Sequence, residues 1–156
     1  MANMTETTDS PHLPILLLNG PNLNTLGTRQ PEVYGTDTLA DVVDLVERTA
    51  AELGFGVRAL QTNHEGEMID TIHEAVGKIS GIVINPAGWT HTSVALADAL
   101  VIPDVPIMEV HISNVHKREK FRQHSYVSPL ASGIVAGYGI RGYEFAVRRL
   151  AELVAQ

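Results

Sequence analysis

The 156-residue chain has no cysteine, which removes disulfides, thiolate metal sites and cysteine nucleophiles together. No apolar run approaches the ~20 residues of a bilayer-spanning helix. The opening residues, up to Pro14, are polar and acidic and hold no apolar stretch of the kind a secretory signal needs. Basic charge is also scarce: 11 Lys and Arg stand against 18 Asp and Glu, a formal net charge of -7. That balance argues against a general nucleic-acid binder, whose affinity rests on basic surface. The chain is therefore expected to be cytoplasmic, with neither nucleic acid nor membrane as a partner. Residues 1–13 are read as a disordered N-terminal tail and residues 14–156 as a single domain.

What is present is a 44% hydrophobic composition, enough for one real core at this length, and alternating strand and helix patterns. Strands are expected at Ile15 to Leu18, Val57 to Leu60, Ile82 to Ile84, Ile107 to Val110 and Ile134 to Ala136. Between Leu39 and Leu53, apolar residues at 39, 42, 43, 46, 50 and 53 mark an amphipathic helix, with Asp37 or Thr38 as cap and Gly54 as stop. Further helices are expected over Glu65 to Ile79, near Ser93 to Leu100 and from about Gly142 to Val154, with a short helical turn near Lys117 to Arg122. Five β-α units imply an α/β three-layer sandwich: a five-stranded parallel sheet in the flavodoxin-like order 2-1-3-4-5.

The connection after the first strand is unusual. From Leu18 to Gly35 the chain reads L-N-G-P-N-L-N-T-L-G-T-R-Q-P-E-V-Y-G, far longer than the ~2 to 6 residues of an ordinary βα loop. Such a length suits a lid or binding loop, and Asn22, Asn24, Arg29 and Tyr34 give it groups that bind an anion and exchange a proton. A surface insertion with incidental polar groups is the plainer reading. Positive charge collects elsewhere too: four of the eleven Lys and Arg lie in H-K-R-E-K-F-R, His116 to Arg122, although a solvated helix face would also explain Lys117 and Lys120.

In an open parallel sheet, ligands bind beyond the carboxyl ends of the strands. Those ends deliver Asn19 to Asn22, Thr62 to Glu65, Asn85 to His91, and Glu109 to Asn114. With the first, third and fourth strands adjacent, Asn22, Asn85, His91, His111 and Ser113 should share one pocket. Helix capping explains single members such as Ser93, but not two histidines and two asparagines together.

Glu109 and His111 lie two apart on a strand and so face the same way. A carboxylate beside an imidazole orients it and favours its protonated form, as a general acid requires; a structural acid paired elsewhere is the alternative for Glu109. Metal ligation by His64, His91 and His111 is disfavoured, because no H-x-x-x-H or H-E-x-x-H helix exists and the neighbours are amides and hydroxyls. A phenol ionises near ~10, and a close guanidinium stabilises its phenolate, so Arg29 and Tyr34 supply a base opposite the His-Glu acid. Base and acid together fit proton abstraction followed by loss of a hydroxyl.

As a set these residues resemble the type II 3-dehydroquinate dehydratases. The likeness runs from Ile15 to Leu153 and rests on the loop sequence above with Q-T-N-H-E-G-E-M-I-D-T-I-H, N-P-A-G-W-T-H-T-S-V-A-L-A-D-A and I-M-E-V-H-I-S-N-V-H-K-R-E-K-F-R-Q-H-S. It implies a single catalytic domain that converts 3-dehydroquinate to 3-dehydroshikimate and water in the shikimate pathway, with no cofactor and no metal. It also implies roles. Tyr34 would be the base, with Arg29 near it, and Asn22 would hold a water against the enolate oxygen. His111, oriented by Glu109, would protonate the departing hydroxyl. Asn85, His91, Ser113 and Arg122 would bind substrate, the Ile112 and Ser113 backbone amides would take its carboxylate, and Arg118 would help close the lid. The same resemblance implies a homo-oligomer, a dodecamer of trimers, with Asp98 reaching a neighbouring subunit's site. The chain departs from the usual pattern at Ala87-Gly88-Trp89, where Gly-Ala or Gly-Gly then Tyr is more common, at Thr25 for leucine, and at Ala97 for arginine.

A flavodoxin-like module that binds a small molecule or nucleotide is the non-enzymatic alternative, although Asn19-Gly-Pro-Asn22 is neither a Ser/Thr-rich phosphate loop nor an acidic receiver site. A Schiff-base dehydratase is discounted, since none of Lys78, Lys117 and Lys120 lies at a strand end in an apolar context.

Overall fold

Ile15–Asn19 is buried along its whole length and forms the central strand β2 of the computed structural model, which describes residues 4–6 and 10–156. Burial on both faces is what its unbroken apolar sequence demands, because a strand packed on one side only would alternate. Ile15 and Leu17 enter one core layer and Leu16 and Leu18 the other, following the two-residue period of the strand.

Four further strands run parallel to it: β3 (Val57–Gln61), β4 (Gly81–Asn85), β5 (Ile107–His111) and β6 (Gly133–Ala136). With β1 (Thr5–Glu6), they order across the sheet as β1-β3-β2-β4-β5-β6. The sheet thus has six strands and is mixed, which corrects the expected five-stranded parallel sheet. The added strand comes from the segment read as a tail. Thr5 and Glu6 pair antiparallel with Ala59 and Arg58 and cover an edge of β3 that would otherwise present unpaired amides and carbonyls. Downstream, His12 stacks on Phe55 at 4.6 Å and Ser10 Oγ donates to the Gly54 carbonyl. The rest of the expected tail, residues 1–3 and 7–9, lies outside the described residues.

Helices α2 (Leu39–Glu52) and α5 (Arg141–Val154) cover one face of the sheet, and α3 (Glu65–Glu74) and α4 (Val94–Leu100) the other. Thr38 starts α2 through a capping box: its Oγ1 accepts from the Asp41 amide at 3.2 Å, and Asp41 Oδ2 accepts from the Thr38 amide at 2.8 Å. Ser93 caps α4 by accepting from the Leu96 amide. Helix α3 stops at Glu74, short of the expected Ile79, and Gly77 follows at φ 72°. The long loop after β2 holds structure that its composition did not announce, a 3-10 turn at Leu23–Thr25 and a one-turn helix α1 at Pro31–Tyr34. The expected turn near 117–122 is two 3-10 turns, Val115–Lys117 and Lys120–Gln123. Among the described residues, no helix is long and apolar enough to cross a membrane.

Adjacent strand ends are locked by a close backbone approach. The Gly20 amide donates to the Asn85 carbonyl at 2.8 Å, and a Cβ at Gly20 would sit 2.5 Å from the Pro86 carbonyl oxygen. Because that obstacle is backbone rather than a side chain that can swing away, Gly20→Ala should lower unfolding free energy by about 1–3 kcal/mol. Denaturant titration checks this; an unchanged midpoint would contradict it.

Candidate active site

The carboxyl ends of β2, β4 and β5 open into a cavity of about 170 Å³. The loop after β2 brings Asn22, Arg29 and Tyr34 to its wall; Asn85 and His91 come from the end of β4 and the loop beyond; His111, Ile112 and Ser113 come from the end of β5, and Arg118 and Arg122 from the segment that follows. Of the residues singled out in the sequence, Glu109 lies behind this wall and Asp98 lies away from it, on the exposed side of α4. Three guanidiniums and no carboxylate line the cavity, so a chain of net charge -7 presents a cationic pocket suited to an anion. Among the described residues, no group of three or more His, Asp or Glu is clustered to hold a metal ion.

Glu109 is fully buried, and its carboxylate accepts four side-chain hydrogen bonds. Oε1 takes Thr90 Oγ1 at 2.7 Å, Ser125 Oγ at 2.9 Å and His111 Nε2 at 3.0 Å, and Oε2 takes Ser128 Oγ. Burial alone would raise its pKa, but His111, Ser128 and Thr90 outweigh burial and hold the carboxyl at about 2. Since a carboxylate only accepts, His111 Nε2 carries the hydrogen of that contact, and Nδ1 is left as the ring atom that gains and loses a proton. Thr90, Ser125 and Ser128 were not anticipated. Their hydroxyls arrive from two loops; Thr90 lay within the third motif and Ser125 at the end of the fourth, neither with a role assigned, and Ser128 lay outside all four.

The phenol of Tyr34 accepts a hydrogen bond from Arg118 Nη1 at 2.7 Å. This alters the pairing expected from sequence. Arg29 stands over the face of the Tyr34 ring, its Cζ 5.8 Å from the centroid, while the guanidinium on the oxygen itself belongs to Arg118. The two arginines flank one tyrosine, and the one 84 positions away in sequence makes the direct contact. Spacing favoured Arg29 because it is local.

His91 Nδ1 meets the His124 carbonyl at 2.7 Å, which fixes Nδ1 as the donor and leaves Nε2 as an acceptor while the ring is neutral. Burial, opposed by that carbonyl and joined by repulsion from His111 and Arg122, moves its pKa below the ordinary value. Asn85 is held just as firmly. The Ala87 amide donates to Asn85 Oδ1 at 3.1 Å, Asn85 Nδ2 donates to Tyr143 Oη at 2.9 Å, and Tyr143 Oη donates to Asn19 Oδ1 at 2.7 Å. Tyr143 is fully buried, and burial raises its pKa, so the phenol stays neutral. No sequence pattern flagged this residue; it reads as one more apolar position of α5. Arg122 spends its Nε on Glu119 Oε2 at 2.8 Å. Ala87 sits at φ 51°, so this loop keeps a backbone path suited to glycine even though alanine occupies the position.

Comparison with known proteins gives one answer. Residues 13–151 match the family model described as dehydroquinase class II. The chain is 62% identical over 141 residues to a 3-dehydroquinate dehydratase of Cereibacter sphaeroides, covering 90% of this chain and 96% of the relative. It is 58% identical over 151 residues to one from Streptomyces avermitilis, covering 96% and 95%. Among solved structures, a type II dehydroquinase from Propionibacterium acnes superposes with a TM-score of 0.85 at 47% identity, covering 90% of this chain and 97% of that one.

The Glu109 carboxyl has a consequence for stability that needs no substrate. Its folded pKa, about 2, lies below the ordinary 4.5, so its contribution is fully present above 4.5 and is lost as pH falls through about 2. The amount is on the order of 3 kcal/mol. Glu109→Gln should therefore flatten the fall in unfolding free energy across that acid window. Denaturant titrations at several pH values check this, and parallel curves for variant and wild type would contradict it.

Proposed function

The chain belongs to the class II dehydroquinase family, and from that membership we propose how its cavity works. The reaction is the dehydration of 3-dehydroquinate to 3-dehydroshikimate, a hydro-lyase step of the shikimate pathway. The binding-module reading is set aside, because the family and the named relatives are enzymes.

In the proposed mechanism the Tyr34 phenolate removes the proton next to the ketone, and the electrons of that C–H bond pass into an enolate. The observation that carries this reading is the hydrogen bond from Arg118 to the Tyr34 oxygen, which holds a cation against the atom that must act as the base. Asn22 holds a water against the enolate oxygen. The enolate then collapses and expels the hydroxyl, which leaves as water after taking a proton from His111. Glu109 keeps that imidazole oriented and stabilises its positive charge. One proton is taken and one is given, so the cycle closes when a proton passes from Tyr34 back to His111 by way of solvent.

For binding, the Ile112 and Ser113 amides receive the substrate carboxylate, while Asn85, His91, Ser113 and Arg122 meet its oxygens. Arg29 and Arg118 ride on segments that close over the site. Residues 14–156 act as one catalytic domain of a cytoplasmic enzyme that needs neither cofactor nor metal. The protein assembles as a dodecamer of trimers, in which Asp98, exposed on its own subunit, reaches a neighbour's site.

The direct test is to add 3-dehydroquinate and follow the absorbance of the conjugated enone product; no absorbance change would reject the reading. Tyr34→Phe keeps the ring and deletes only the oxygen, so substrate binding should persist while kcat falls by ~10² to 10⁴. A variant within a few fold of wild type would move the base elsewhere.

A further inference from the structure

The strand-end segment Gln61-Thr62-Asn63 belongs to a motif to which the chemistry above gives no task. Its side chains grip the first loop by the backbone. Asn63 Oδ1 accepts from the Asn22 amide at 2.9 Å, and Gln61 Nε2 donates both to Asn63 Oδ1 and to the Gly20 carbonyl, each at 3.2 Å. The orientation of the Asn63 carboxamide follows from its partners: a backbone N–H can only donate, so the side-chain oxygen must face Asn22.

Asn22 needs holding. It sits at φ 69° and ψ -5°, in the left-handed region that every residue but glycine enters at a cost. On its carbonyl side, the Thr25 amide and Thr25 Oγ1 donate to Asn22 O at 3.0 and 2.7 Å. Asn63 and Thr25 thus satisfy both backbone polar groups of Asn22, which leaves its carboxamide uncommitted at the cavity wall. Asn63 itself is exposed, and the neighbouring turn into α3 is tied down by Thr62, which accepts from the His64 amide at 3.0 Å and donates to Glu67. Asn63 is therefore spare to the core and to the start of the helix.

We propose that Asn63 is a positioning residue for catalysis: its side-chain oxygen holds the Asn22 amide in the left-handed conformation that aims the Asn22 carboxamide at the reacting oxygen. The proposal rests on the dehydratase reading above. A group that matters only once charge develops on that oxygen should appear in kcat and leave KM nearly alone, and a displaced contact of this kind costs up to ~10² in rate.

The experiment is a double-mutant cycle on dehydration of 3-dehydroquinate, with thermal melting as a check on folding. Asn22→Gly is the second site, because glycine tolerates the left-handed conformation and removes only the carboxamide. Asn63→Ala should lower kcat by roughly 10-fold or more with KM within about 2-fold. Asn63→Asp, which keeps an acceptor of the same shape, should recover most of that loss. On the Asn22→Gly background, Asn63→Ala should cost nothing further, since the two residues act as one unit. The proposal is overturned if Asn63→Ala turns over like wild type, if Asn63→Asp is as slow as Asn63→Ala, or if the Asn63→Ala loss is undiminished on Asn22→Gly. An Asn22→Gly variant with wild-type kcat would overturn it together with the role of Asn22. Failure of the dehydratase reading looks different: wild type itself would leave 3-dehydroquinate unchanged.

Discussion

One buried charge organises the cavity end of this molecule. Glu109 occupies a position on β5 that would otherwise belong to the apolar layer beneath α3 and α4, since its strand neighbour Ile84 and the preceding Ile107 both lie there. A lone carboxylate in that place would be prohibitively costly. It is tolerated because hydroxyls and an imidazole from three separate stretches, around Thr90, His111 and Ser125 to Ser128, converge on its two oxygens. Satisfying one charge thus draws together the loop after β4, the end of β5 and the segment leading towards β6. The same convergence sets the His111 ring plane and brings the chain carrying Arg118 and Arg122 back over the cavity.

The molecule also separates its charges by depth. Acidic residues dominate overall, but those that pair with arginine do so mostly at the periphery, as Arg148 does with Glu52 and Glu144. The cavity wall keeps only cations. A low-dielectric cleft lined with one sign of charge focuses its field outward, so an anion is drawn to the opening even though the protein as a whole repels it.

How much of this was legible in the sequence follows from how far each signal reaches along the chain. Helices α2 and α5 announce themselves by periodicity, because burial on one helix face recurs every few residues, and the inner strands by short apolar runs buried on both faces. Strand β1 does not: two exposed residues, Thr5 and Glu6, carry no pattern, and their pairing depends on an open edge of β3 more than fifty positions away. The site divides in the same way. Asn22, Asn85, His91, His111 and Ser113 were visible because strand ends in a parallel sheet are known to converge, and Tyr34 because the loop that carries it is too long for an ordinary βα connection. Arg29, near Tyr34 in sequence, does stand over its ring, but the hydrogen bond to the phenol oxygen comes from Arg118, because the loop after β2 and the segment after β5 meet in space and not along the chain. The hydroxyls of Thr90, Ser125 and Ser128 and the phenol of Tyr143 were silent for a related reason: each is an ordinary residue in an ordinary local setting, and only its distant partner gives it a task.

The chain of hydrogen bonds behind Asn85 has a direction. It begins at a backbone N–H that can only give, and each link passes the polarity on, from Ala87 to Asn85 to Tyr143 to Asn19. Asn85 therefore cannot turn over: beyond the network its Oδ1 keeps one lone pair and its Nδ2 one hydrogen, while His91 in the same wall, when neutral, keeps the Nε2 lone pair that the His124 contact leaves free. The buried amide and phenol network thus hands its polarity to the cavity wall: the grain set by a single backbone N–H fixes which way round the Asn85 amide stands there.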